Sequence, residues 1–380
     1  DILKWLHSDD FKEKHQLIQE NRQEGTGEWL LRSEEFLNWK KGVSSRILLG
    51  LGIAGAGKTF LSSRVIDYLE DVTERGVAYI YFNYQDQQSP ARILASIVKQ
   101  LLCKLPSTTR FPDIFNDLHS KLGSEKKPSQ DQLRSVLSDV ISLFPSIFLI
   151  FDAIDECEEG LRTQILSLLL WIKTLGEQVF MFIISRPLAD LRDILTDAIE
   201  VKLSAHPEDI NAYLEARIEQ TRPLKPTRSP PLLVRYKDKI IPEIRNSAEE
   251  MFLLAKFHFD FLSKKINARK LLDAIETLKN PSSRVNALEQ CYKRVVDGIR
   301  ARDENDDLAL DVLALLSLTT TPLRVSELQD AMAVIPGELE LDPLNVTSPE
   351  MLVDICGGLV EIDHHSGTIG LAHYTIKQYL

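Results

Sequence analysis

Residues 46–59 read Arg-Ile-Leu-Leu-Gly-Leu-Gly-Ile-Ala-Gly-Ala-Gly-Lys-Thr, an apolar run that closes on a glycine-rich turn and a lysine. Gly52, Gly57, Lys58 and Thr59 have the spacing G-x-x-x-x-G-K-[ST]. Ile47 to Leu51 predicts a buried strand. From Lys58 to Glu70, residues Leu61, Val65, Ile66 and Leu69 recur at helical spacing. Strand, glycine-rich loop and helix in that order make a cradle for phosphate. Glycines let the backbone approach the anion, and the loop amides and helix N-terminus point at it. The candidate nucleotide-binding residues are Gly52, Ala54, Gly55, Ala56, Gly57, Lys58, Thr59 and Phe60. Lys58 is expected to reach the β- and γ-phosphates, and the Thr59 hydroxyl to ligand Mg²⁺. The alternative is a glycine-rich turn that binds no nucleotide.

Apolar segments alternate with helical ones from 46 to about 205. Strands are predicted at 46–51, 77–84, 147–152, 179–184 and 199–203, and one helix opens at Ser89-Pro90, a capping serine followed by proline at the first helical position. This alternation predicts an α/β fold, a parallel sheet with helices on both faces and its ligand beyond the carboxyl ends of the strands. Residues 1–40 read as polar helices interrupted by Gly25-Thr26-Gly27. After 205 the strand pattern stops, and helices follow to about Ile299, broken by a proline-rich loop from Arg222 to Pro231. Then come helices at Leu308–Leu318, after Ser326 with Gln329 completing a capping box, and from Ser348-Pro349. Leu359–Asp363 and Thr368–His373 read as a hairpin that makes a winged helix. The expected domains are 1–44, a helical lead-in; 45–206, a P-loop NTPase core; 207–302, a helical domain; and 303–380, a winged-helix domain.

The chain has 380 residues and a formal net charge of −11, which argues against nucleic acid or an anionic membrane as the principal partner. Between Val325 and Ile376 there is no lysine or arginine, so the winged helix lacks the phosphate contacts of a DNA reader. Four scattered cysteines with no Cys-x-x-Cys pair fit reduced thiols in a cytoplasmic protein. No apolar run approaches the ~20 residues that span a bilayer, and no signal peptide is present. The chain begins at Asp1 without methionine, so it is expected to be part of something longer.

Two further motifs end predicted strands. Phe148-Leu-Ile-Phe-Asp152-Ala-Ile-Asp155-Glu156 delivers Asp152 to the sheet edge, where it could bind Mg²⁺. Asp155 or Glu156 could orient or deprotonate the attacking water; the alternative is an acidic cap on the next helix. Phe182-Ile-Ile-Ser185-Arg186-Pro187 brings a cation that could touch the γ-phosphate. Its alternative is a surface arginine paired with a nearby acid.

Four blocks, Gly-Ile-Ala-Gly-Ala-Gly-Lys-Thr, Phe-Asp-Ala-Ile-Asp-Glu-Cys, Ile-Ile-Ser-Arg-Pro and Leu-Ala-His373-Tyr-Thr, resemble NACHT-type STAND NTPases, nearest the fungal NLR-like group that often carries ankyrin repeats. Gly25 to Leu31, Met251-Phe-Leu-Leu-Ala and Pro322 to Leu328 look like the same group. The resemblance implies an ATP/ADP signalling switch in innate immunity. In such a switch ADP holds a closed state, ATP drives self-oligomerisation, and slow ATP hydrolysis resets it. Upstream ligand and downstream effector would act through other domains. It also implies that His373 touches the ADP β-phosphate; without it, His373 reads as a core residue. Two positions depart from the family pattern. His373-Tyr374 stands where plant and animal relatives have His-Asp, and Glu250-Met251-Phe252 stands where Gly-x-Pro is expected. Gly27 to Trp29 would border the base or form a helix-capping turn. The rival readings are a cycling AAA+-like mechanical ATPase, which usually has Glu where Ala153 stands, and a scaffold that binds nucleotide without hydrolysis. Asp363, His364 and His365 sit at a hairpin tip, where adjacent side chains point to opposite faces and are poorly placed to share a metal.

Overall fold

The computed structural model describes residues 2–6, 11–72, 74–83, 88–106, 113–123, 126–221, 231–279, 287–300, 306–335, 337, 341–363 and 366–380. The chain divides into two units, Asp1–Tyr213 and Leu214–Leu380.

The first unit is built on five parallel strands: β1 (Ile47–Leu51), β2 (Gly76–Tyr81), β3 (Ile147–Asp152), β4 (Val179–Ser185) and β5 (Ile199–Lys202), in the order β2-β3-β4-β1-β5. Every residue of β1, β2 and β3 is buried, so the sheet is covered on both faces, as parallel sheets require. That explains why these strands read as unbroken apolar runs. The predicted strand at 77–84 ends earlier, at Tyr81, and residues 84–87 lie outside the described residues.

Four helices precede the sheet: α1 (Ile2–Leu6), α2 (Phe11–Asn21), α3 (Glu28–Arg32) and α4 (Glu34–Lys41). They share the hydrophobic core of the sheet. Trp39 of α4 is fully buried, with its ring against Phe148 of β3 and Phe180 and Phe182 of β4. The remaining helices of the unit are α5 (Lys58–Glu70), α6 (Pro90–Lys104), α7 (Asp113–Leu122), α8 (Gln130–Ile141), α9 (Glu159–Lys173), α10 (Ala189–Ile194) and α11 (Pro207–Gln220), the last of which crosses into the second unit. Ser89 caps α6 and Pro90 opens it, as the sequence implies. All four tryptophans, Trp5, Trp29, Trp39 and Trp171, belong to this first unit.

The second unit holds α12 (Leu232–Arg235), α13 (Lys237–Ser247), α14 (Phe252–Ser263), α15 (Ala268–Leu278), α16 (Ala287–Arg300) and α17 (Asp306–Leu318). A two-residue β6 (Leu323–Arg324), α18 (Val325–Ala333), α19 (Pro349–Ile355), β7 (Val360–Asp363), β8 (Thr368–Leu371) and α20 (Tyr374–Tyr379) complete it. β7 and β8 form the expected antiparallel hairpin, and β6 joins the other edge of β8. One core runs through Leu254, Phe257, Tyr292, Leu313, Leu352, Leu371 and Ile376, so α14 and α16 pack with the winged segment.

Two expectations need correcting in this region. α18 begins at Val325, and its cap is not built from Ser326 and Gln329. Leu323 pairs with Ile369, so the chain turns into the helix directly after Arg324, whose N–H donates to Glu327 Oε2 at 2.8 Å. Gln329 instead donates to the Thr347 carbonyl at 2.7 Å. Ser348 and Pro349 do start α19 as predicted. His364 and His365 lie outside the described residues, as does 222–230 of the proline-rich loop.

Candidate nucleotide site

The parallel order brings the three strand-end motifs to one edge. β4 lies between β1 and β3, so Arg186, which follows β4, emerges between the glycine-rich loop and Asp152. Gly52 opens the loop by donating its N–H to the Ser185 carbonyl at 3.1 Å. It must be glycine, because a Cβ would stand 2.4 Å from the Leu203 carbonyl oxygen. Gly57 is the N-cap of α5 at φ 87°, the left-handed region that suits glycine. Having no side chain, it leaves the opening amides of a 13-residue helix to an anion. Ala56 is buried and Phe60 is exposed.

Lys58 folds back over the loop. Its ammonium donates to the carbonyls of Gly52 and Ile53, each at 3.1 Å. Burial lowers its pKa, against the pull of Asp155 and Asp152. Asp152 is 2% exposed, and its Oδ1 has no hydrogen-bond partner. Burial pushes its carboxyl up to about 6, while a hydrogen bond from Thr59 and the charges of Lys58 and Lys14 hold it from going higher. The Ser185 hydroxyl, at the end of β4, is also buried and without a partner. Ala153 turns the chain out of β3 at φ 62°, a strained conformation for a residue with a side chain.

Asp155 and Arg186 meet. The Arg186 N–H donates to Asp155 Oδ1 at 2.9 Å and its Nε–H to Oδ2 at 2.6 Å. The Asp155 side chain is 5% exposed and that of Arg186 26%. Arginine does pair with an acid, as the alternative reading had it, but the acid belongs to the second motif and its carboxylate is buried while the arginine is half-buried. Glu156 follows in the same 3-10 turn, Ile154–Glu156, and is half-buried.

His373 lies in the second unit as the N-cap of α20. Its Nδ1 accepts the Thr375 N–H at 3.2 Å and lies 2.7 Å from the Thr375 hydroxyl, which in turn meets the Tyr292 hydroxyl at 2.6 Å. With Nδ1 accepting, the neutral ring carries its proton on Nε2. Gly27 is the N-cap of α3 at φ 82°, and its N–H donates to Asp209 Oδ2 at 3.0 Å, so the capping turn is real. The Trp29 ring stacks on His206.

Sequence reading missed Lys14 and gave no role to Ser185, although Ser185 stands in the third motif. Lys14 of α2 lies over the Tyr81 ring, 5.5 Å from its centroid, and its charge reaches Asp152. No motif marks it, because it comes from a polar stretch more than a hundred residues before Asp152.

Among the described residues no three His, Cys, Asp or Glu side chains gather to hold a metal. One carboxylate and one hydroxyl suit Mg²⁺, which keeps waters and arrives with substrate phosphates instead of entering an all-protein cage. The orphaned Asp152 Oδ1 fits that group. No helix among the described residues is long and apolar enough to cross a membrane.

Residues 25–186 match the family model described as nephrocystin 3, N-terminal, and residues 294–380 match the winged helix domain of GPI inositol-deacylase. Vegetative incompatibility protein HET-E-1 of Podospora anserina is 24% identical over 369 residues, covering 93% of this chain and 26% of that protein. The chain therefore spans about a quarter of the length of that relative. Among solved structures, ORC1 of Aeropyrum pernix in complex with DNA is 16% identical with a TM-score of 0.41, covering 93% of this chain and 90% of that one. Cdc6p of Pyrobaculum aerophilum is 15% identical with a TM-score of 0.41, covering 93% and 92%. Likeness at that level carries no functional argument.

Proposed function

We propose that this chain, a nucleotide-binding P-loop NTPase of the fungal NLR-like NACHT kind, works as an ATP/ADP switch that hydrolyses ATP slowly. Asp152 carries the reading. It is a buried carboxylate with one oxygen unbonded, next to the Thr59 hydroxyl and the Lys58 charge, at the mouth of an uncapped helix. Thr59 and Asp152 would hold Mg²⁺, which when bound spreads charge from the β- and γ-phosphates. The loop amides from Gly52 through Ala54, Gly55, Ala56 and Gly57 to Phe60 would wrap the phosphates. Lys58 would exchange its two carbonyl bonds for phosphate oxygens. Asp155 or Glu156 would take the proton of the attacking water, and Arg186 would meet the γ-phosphate. His373, with its proton on Nε2, is chemically suited to donate to an ADP β-phosphate.

A switch requires each nucleotide to bind two states unequally. In this proposal ADP favours a closed monomer and ATP an open, self-associating form, and hydrolysis resets the chain. The stretches 1–44, 45–206, 207–302 and 303–380 would be its lead-in, NTPase, helical and winged-helix domains. The trigger and effector would act through other domains of a cytoplasmic signalling protein in innate immunity, with no nucleic-acid partner. The test is to denature freshly purified chain and identify the released nucleotide. About one ADP per chain, carried through purification, is the expected result. An empty or rapidly exchanging site would overturn the resting latch and favour a cycling AAA+-like ATPase.

A further inference from the structure

We infer that this chain meets a second copy of itself through its second unit, the basic α14–α15 turn of one copy docking on the acidic, apolar α18–α19 face of the other. The inference rests on the self-association proposed above and names the surfaces that carry it.

The turn between α14 and α15 runs Ser263-Lys-Lys-Ile-Asn-Ala-Arg-Lys270, four cations and no acid. Ile266 stands at its centre, 80% exposed. The turn is built: Asn267 caps α15, its side chain accepting the Lys270 N–H at 2.9 Å. The Lys265 ammonium lies over the Phe261 ring, 3.8 Å from its centroid, and the Arg294 guanidinium lies 5.3 Å from the same ring. Burial, and then the charges of Lys270, Lys264 and Arg294, lower the Lys265 pKa. Cations crowded in this way gain from an anionic surface.

The opposite sign stands in the winged segment. Between 325 and 376 the sequence has nine Asp and Glu and no Lys or Arg. Val334, Ile335, Leu341, Leu344 and Met351 are exposed there. Leu344, 92% exposed, is held out on the 3-10 turn Pro343–Asn345, which Asp342 caps by accepting the Leu344 N–H at 2.9 Å. The Gln329 bond to the Thr347 carbonyl ties α18 to this connection, beside Asp330 and near Glu350 in sequence, both exposed. Apolar side chains held out on ordered turns mark a surface that another molecule covers. Two such surfaces of opposite charge on one chain can cover each other between copies.

The test is sedimentation velocity of the chain with Mg²⁺-ATP. The parent is expected to self-associate and to dissociate as salt is raised. Lys264→Glu with Lys270→Glu, and separately Asp330→Lys with Glu350→Lys, should each weaken assembly by at least about a hundredfold. Mixed, these two variants should pair with each other, since together they keep one good turn and one good face. All four substitutions in one chain should restore assembly to within about tenfold of the parent. Ile266→Ser and Leu344→Ser should each weaken it about tenfold at unchanged net charge. Thermal melts check that each variant folds, and if a charge variant does not, the two serine variants decide the case. Reversed variants that assemble like the parent, or a fourfold variant that does not recover, would overturn the docking and leave the nucleotide switch standing. Unchanged assembly in Lys264→Glu with Lys270→Glu, together with lost cosedimentation with phosphatidylserine vesicles, would give the turn to an anionic membrane instead. A parent that stays monomeric with Mg²⁺-ATP would overturn the docking and the self-association together.

Discussion

The buried charge of Asp152 costs the free chain stability, and the Mg²⁺ of the proposed site would offset that cost. The Asp152 carboxyl is raised from 3.8 to about 6 by burial. Above that pH the folded state carries a charge that the unfolded state solvates better. As pH falls from about 6 toward 4 the folded state takes up its proton first, and the cost is relieved. Asp152→Asn is therefore expected to raise the melting temperature of the nucleotide-free chain by a few degrees at pH 7.5. The gain should shrink below pH 6 and vanish near pH 4, and melts in chelator across that range measure it. The same variant should lose the stabilisation that Mg²⁺-ATP gives the parent. Lys58→Ala is expected to weaken ATP and ADP binding by at least about a hundredfold in calorimetry, since it removes the one lysine of the loop. The residues of the glycine-rich loop and Asp152 were legible because strand ends and helix starts are local events. The contact of Asp155 with Arg186 was not, because it joins two loops 31 residues apart through the order of the strands.

One carboxylate of α5, the helix that follows the glycine-rich loop, gathers three side chains from α2 and its C-terminal end. Asp67 accepts from His15, Gln19 and Arg22, all on or next to α2, and His15 reaches on to the Tyr81 hydroxyl at 2.8 Å. Burial alone would raise the Asp67 carboxyl, but these hydrogen bonds outweigh it and hold it at about 2. A depressed carboxyl stabilises the fold above its unfolded value and loses that contribution as pH falls toward the folded one. The clamp should thus weaken between about pH 4 and pH 2. Asp67→Ala should cost about 2 kcal/mol, because it leaves the buried His15 Nε2 and one Arg22 terminal nitrogen without their acceptor. Hydrogen exchange should show α2 losing protection while β1 and β3 keep theirs. Capping chemistry was readable where it is self-contained, as at Ser89 and Ser348. It failed at α18, where the pairing of β6 with β8 decides where the helix begins. The burial of α1–α4 was hidden for a similar reason. A polar stretch does not announce that Trp39 fills the floor of the sheet.

At the scale of the chain, two units with separate cores must exchange information if the protein is a switch. His373→Ala tests the link from the second unit. It is expected to speed ADP release about tenfold in a stopped-flow displacement assay and to shift the chain toward assembly in light scattering with ATP. An unchanged release rate returns His373 to its local role as the cap of α20. The alternation of strands and helices made the first unit readable as an α/β sheet. Strand order, and the sharing of one core by α14, α16 and the winged segment, depend on contacts that no window of sequence contains. The placement of all four tryptophans in the first unit has an optical consequence. Excitation at the red edge of the indole band lights that unit alone. Trp39, ringed by phenylalanines, is expected to emit at the short-wavelength end of the indole range and to shift to longer wavelength when the sheet opens, while the second unit, with only tyrosine to absorb, stays dark. Fluorescence and circular dichroism recorded on one melt would therefore separate the unfolding of the nucleotide unit from that of the winged one, without a label on either.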